Sequence, residues 1–150
     1  MGMFSALTGL FGFRRTPKPA RHKLSDISEI SISCVHMDFS FGYSFRLHRD
    51  EEKWLFDAEC FTNNCSEHTG FENRSVSEED VKTLLEILER NNSISYAENY
   101  KKPPKSPFKV LDETTYVFCL AFSDGSRYMT KDRQAEPEQF FYGLAEKKKQ

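Results

Sequence analysis

Residues 29–48 read EISISCVHMDFSFGYSFRLH, and the fold turns on how this stretch alternates. Apolar side chains recur at every second position, the period of strands that bury one face. Ile30, Ile32 and Cys34 hold even positions, whereas Val35, Met37, Phe39, Phe41, Tyr43, Phe45 and Leu47 hold odd ones. The change of parity at Cys34 and Val35 predicts a bulge or bend, because one extra residue re-aims every side chain after it. Gly42 is then the expected turn between two strands.

Downstream, Arg49 to Lys53 (RDEEK) is a polar turn, and Trp54, Phe56, Ala58 and Cys60 alternate again as a third strand. TNNCSEHTGFENRS (62–75) has no period and reads as loop. In SVSEEDVKTLLEILERNN, Val81, Leu84, Leu85 and Leu88 fall at helical spacing; Ser77 stands at the cap with Asp80 three residues on, and Asn91 and Asn92 stop the helix. A proline-rich connector, KKPPKSPFKVLDE, carries a PxxP spacing that serves as a stiff surface link. TTYVFCLAFSDGSRYMTKD then folds back at Asp124-Gly125, as a type I′ turn would. Tyr116 to Phe122 are seven consecutive apolar residues, so this strand is expected to be covered on both faces. In EPEQFFYGLAEKKKQ, Pro137 suits a first helical position and Phe140, Phe141 and Leu144 form an inward stripe.

The order β-β-β-α-β-β-α predicts an α+β protein: an antiparallel sheet of about five strands with two helices packed on one face. VSEEDVKTLLEILE (76–89), YKKPPKSPFKVLDETTY (100–116) and FSDGSRY (122–128) together resemble small uncharacterised proteins of Gram-positive bacteria that share this order. The resemblance spans residues 38 to 146. It implies a bacterial origin and brings with it no activity and no site residues.

The 150 residues make one domain with tails. We divide them into an N-terminal segment and linker (1–24), a body (25–146) and a basic tail (147–150). The net charge of −2 conceals an asymmetry: residues 1–25 hold five basic residues and no acid, whereas 26–146 hold 13 basic and 23 acidic residues, a net of −10. An acidic body repels phosphate backbones, so no nucleic-acid partner is expected, and core packing accounts for Phe39, Phe41, Tyr43 and Phe45 beside Arg46 better than base stacking.

Chemical motifs are sparse. Cys60-x4-Cys65-x2-His68, with Cys34-x-His36 upstream, is the one grouping that could supply zinc ligands or a cysteine nucleophile. It lacks the paired knuckles of structural zinc sites, and the expectation is no cofactor and no catalysis. Asp57 and Glu59 share a strand face as solvated acids. Asn64, Asn73 and Asn91 each begin an Asn-x-Ser triplet that would matter only after export.

The opening segment, MGMFSALTGLFGFRR, has its positive charge after the apolar run, the reverse of a secretory signal, and is too short to span a bilayer. On a helical projection Met3, Phe4, Leu7, Leu10 and Phe11 fall within one arc. Three glycines make such a helix too weak to stand alone in water, so it needs an apolar partner. A bilayer surface, the open face of the sheet and another protein each offer one. The residues assigned to this role are Phe4, Leu7, Leu10 and Phe11 for insertion, and Arg14, Arg15, Lys18, Arg21 and Lys23 for attraction to an anionic surface. The expected protein is cytoplasmic, non-catalytic, and peripheral at the inner face of a membrane or bound to a protein partner.

Overall fold

The computed structural model describes residues 19–36, 40–62, 67–101 and 114–147. The chain forms β1 (Ile27–His36), β2 (Phe41–Asp50), β3 (Lys53–Thr62), β4 (Glu67–Ser75), α1 (Glu78–Arg90), α2 (Ser93–Glu98), β5 (Thr114–Phe122), β6 (Arg127–Thr130) and α3 (Ala135–Glu146), preceded by a 3-10 turn at Leu24–Asp26. Among the described residues these make one antiparallel sheet in the order β4-β3-β2-β1-β5-β6, with three helices. The α+β architecture follows from the alternation: Ile30, Ile32 and Cys34 of β1 stand beside Leu47, Phe45 and Tyr43 of β2 and join α1 and α3 in a single core.

Five local expectations are corrected. No bulge lies at Cys34 and Val35; β1 keeps register with both neighbours from Glu29 to Val35, and its one irregularity is between Ile27 and Glu29. The parity differs because Tyr43, Phe45 and Leu47 belong to the next strand, β2, whereas Val35 stays in β1 on the face opposite Ile32 and Cys34. Gly42 lies inside β2, opposite Val35 and Phe61, and is not a turn. A Cβ on Gly42 would sit 2.3 Å from the Phe61 ring and 2.8 Å from the Cys34 carbonyl oxygen, so the glycine is where an aromatic ring from β3 lies flat across the sheet. Gly42→Ala is therefore expected to cost about 1–3 kcal/mol by overpacking, measured as a lower midpoint in urea unfolding.

The stretch 62–75 is no loop over its second part: Glu67–Ser75 pairs with β3. Its register slips opposite Phe56 to Ala58, near Asn73 at φ 54°, and the slip erases the period that would have marked a strand. The Asp124-Gly125 hairpin is present, but only Gly125 takes positive φ, 92°. Asp124 instead accepts the Ser126 N–H at 2.8 Å, so the turn is an Asx turn and not type I′. Pro137 is the third residue of α3 rather than its first.

Other details of the sequence reading stand. Ser77 Oγ accepts the Asp80 N–H at 3.1 Å and caps α1, although the Asp80 carboxylate turns away to Lys147 Nζ at 2.7 Å. Val81, Leu84 and Leu88 are buried along its inner stripe. The short α2 follows Asn92, which takes the left-handed conformation and re-aims the chain.

The second sheet face carries the outward half of the apolar strand. There β5 shows only Val117, Cys119 and Ala121, and Arg127 of β6 donates to Cys119 Sγ at 3.2 Å, laying a long side chain over the thiol. A row of ion pairs also crosses this face. Arg127 reaches Glu29 at 3.4 Å, Glu29 meets Arg46 at 3.0 Å, Arg46 meets Asp57 at 3.2 Å, and Asp57 accepts the Asn73 N–H at 2.8 Å. The chain of charges runs from one edge strand to the other.

Candidate functional site

Where the N-terminal linker meets the body, the sequence ARHKL becomes a fastening. Glu98, the last residue of α2, has a side chain with no exposed surface. It accepts the Arg21 N–H at 2.8 Å and the His22 N–H at 3.0 Å, and lies 2.6 Å from His22 Nδ1. The other ring nitrogen, Nε2, lies 2.9 Å from Asp124 Oδ2 in the β5–β6 turn. The imidazole stacks on Phe122 with centroids 4.3 Å apart and meets the edge of Tyr128 at 5.6 Å. Arg21 places its guanidinium 5.9 Å from the Tyr128 ring centre.

The electrostatics match this geometry. Hydrogen bonds from its ring to Glu98, first, and to Asp124, second, raise the His22 pKa against its desolvation. Burial opposes ionisation of Glu98, yet the Arg21 and His22 donors hold its pKa below the ordinary value. The Ser126 N–H, with His22, lowers Asp124 to about 2. Beside the fastening is a cleft of about 270 Å³ lined by Pro19, Ala20, His22, Leu24, Leu88 and Ile94.

A second polar cluster lies under α3. Glu138, buried on the inward face of that helix, accepts from the Tyr43 hydroxyl and from Arg133 Nε at 3.1 Å and Nη2 at 2.7 Å. Burial, and then the carboxylate, push the Tyr43 pKa upward; burial also raises the Cys34 thiol, and it lifts Tyr142 to about 12. Each acceptor has its donor, and the cluster pins α3 to the middle of the sheet.

A larger groove of about 1120 Å³ separates β4 from the start of α1 and the end of α3. Its floor includes Phe56 and Phe71; Arg74 stands 3.4 Å over the Phe71 ring and donates to the Lys147 carbonyl at 3.1 Å, closing the end of α3.

Of the residues assigned to surface attraction, Arg21 and Lys23 are exposed where the linker docks. Phe4, Leu7, Leu10, Phe11, Arg14, Arg15 and Lys18 lie outside the described residues. Cys60 packs against the core, whereas His68 faces away from it, exposed, 3.2 Å from Glu59. Register explains the separation: Cys60 pairs with Thr69 and Phe61 with His68, so the two side chains take opposite faces. Cys65 lies outside the described residues. Cys34 is buried in the core, and among the described residues no three His, Cys, Asp or Glu side chains could hold a metal ion.

The sequence assigns no site role to His22, Glu98 or Glu138, and gives Asp124 only a place in the β5–β6 turn. Glu98 and Asp124 stand 76 and 102 positions from His22, too far for any local pattern. Glu138 did leave a signal: it sits three residues before Phe141 on the apolar stripe of its helix, where an acid needs a partner. No protein-family model, curated protein or solved structure matches the chain.

Proposed function

We propose that this is a non-catalytic binding domain held at the cytoplasmic face of an anionic membrane by its N-terminal segment. Phe4, Leu7, Leu10 and Phe11 enter the interface, and Arg14, Arg15 and Lys18 answer the headgroups. The observation that supports this reading is the fastening at Arg21 and His22. It ties the chain to the body a few residues after the last of those charges, so whatever the segment engages holds the body close by. A body of net charge −10 has no electrostatic reason to approach such a surface on its own, which leaves attraction to the basic linker. Basic side chains near an anionic leaflet contribute about 1 kcal/mol each, and the apolar stripe adds to that.

Sedimentation with vesicles tests the reading. The intact chain is expected to pellet with phosphatidylglycerol-containing vesicles, to stay in solution with phosphatidylcholine alone, and to bind less as salt is raised. A chain lacking residues 1–18 keeps the fastening; it is expected to lose vesicle binding and to melt at the same temperature. An intact protein that never pellets, with a truncated one melting several degrees lower, would overturn the proposal and assign the segment to the core.

A further inference from the structure

The two acceptors of His22 impose a protonation state. A neutral imidazole has one N–H and one bare lone pair, and an ionised carboxylate only accepts. With Nδ1 at 2.6 Å from Glu98 and Nε2 at 2.9 Å from Asp124, both contacts are hydrogen bonds only when both nitrogens carry protons. We propose that His22 is a proton-operated latch for the N-terminal segment, closed as the imidazolium and loosened when one ring proton leaves.

The partners differ in what they do on opening. Asp124 is 57% exposed and is free to swing into water, whereas the Glu98 side chain is fully enclosed and would be left a buried carboxylate facing only neutral donors. Loss of the proton therefore removes one bond outright and weakens the grip of the other. The groups facing the ring are Glu98 from α2, Asp124 and Phe122 from the β5–β6 hairpin, Tyr128 from β6, Arg21 on the segment itself, and Glu89 of α1 across the cleft. Imidazole alone among these types ordinarily titrates between pH 5 and 8.

The sign follows from the geometry and agrees with the upward shift of the His22 pKa. A base whose folded value is raised contributes fully below its unfolded value of about 6.5 and loses that contribution as pH climbs through the folded value. The latch is closed in mild acid and opens on the alkaline side. This inference deepens the membrane reading by adding a control on how the segment is held, but its test uses no lipid, so the two fail separately.

The experiment is an NMR titration of the His22 ring in the full chain, paired with trypsin cleavage after Arg21 and Lys23 followed by mass spectrometry. Cleavage is normalised to a free peptide of residues 16–28. We expect a His22 midpoint above 6.5 and normalised cleavage that rises through that midpoint, about tenfold for each pH unit by which it exceeds 6.5. Asp124→Asn keeps an oxygen for the Ser126 N–H but loses the charge; it is expected to lower the midpoint and to raise cleavage at pH 6. His22→Phe keeps a ring against Phe122 and is expected to give a pH-independent ratio. A midpoint at or below 6.5, or a normalised ratio flat across pH in the unaltered chain, would overturn the latch.

Discussion

Phe141→Ala is expected to cost about 3–5 kcal/mol. Phe141 has no exposed surface and packs against both Phe45 and Phe56, with ring centroids 5.9 and 5.7 Å away and near-parallel planes. Through it α3 packs on β2 and β3, so its removal opens a cavity bounded by two rings that these paired strands hold in register. Collapse around the void is difficult for that reason, which puts the loss in the upper part of the range for aromatic truncation. At about 2–4 °C per kcal/mol for a chain of this size, the melting temperature should fall by roughly 10 °C. A fall of only 2 or 3 °C would mean that α3 contributes little to the core.

Glu138→Ala is expected to cost about 2–4 kcal/mol, because it leaves the Tyr43 hydroxyl enclosed with no acceptor. Arg133 loses less, since more than half of its side chain already meets water. Glu138→Gln keeps an acceptor and should cost about half as much. Adding Tyr43→Phe to Glu138→Ala should recover part of the loss, because the orphaned hydroxyl is then gone. Chemical denaturation of the unaltered chain, Glu138→Ala, Tyr43→Phe and the double variant provides the cycle, with Glu138→Gln measured beside it. Equal losses for the two Glu138 variants would show that charge, and not hydrogen bonding to Tyr43, carries the effect.

Period-2 alternation reveals β1, β2 and β3 because each buries one row of side chains in the same core, whereas β5 shows as an unbroken apolar run because it is covered on both faces. β4 was hidden for the complementary reason. As an edge strand it puts only Phe71 among the hydrophobic residues packed on the core, and its slipped register breaks even that short row. α2 was hidden by length, since six residues hold less than two helical turns of pattern. The fastening was illegible for a third reason: its His and its two acids come from a linker, a helix end and a turn that only tertiary structure assembles. Arg21 and Lys23 stand out as part of a basic cluster, yet the side chain that meets both acids is that of the residue between them, His22.

The fastening also has an order in time. The segment it secures is synthesised before Glu98 and Asp124, and the stacking partner Phe122 pairs with Ile27 across the sheet only once β5 has been made. Until those two carboxylates are made His22 lacks its partners, and a chaperone or a lipid surface can meet the segment first. Co-translational contacts of this segment are therefore decided before its anchor exists.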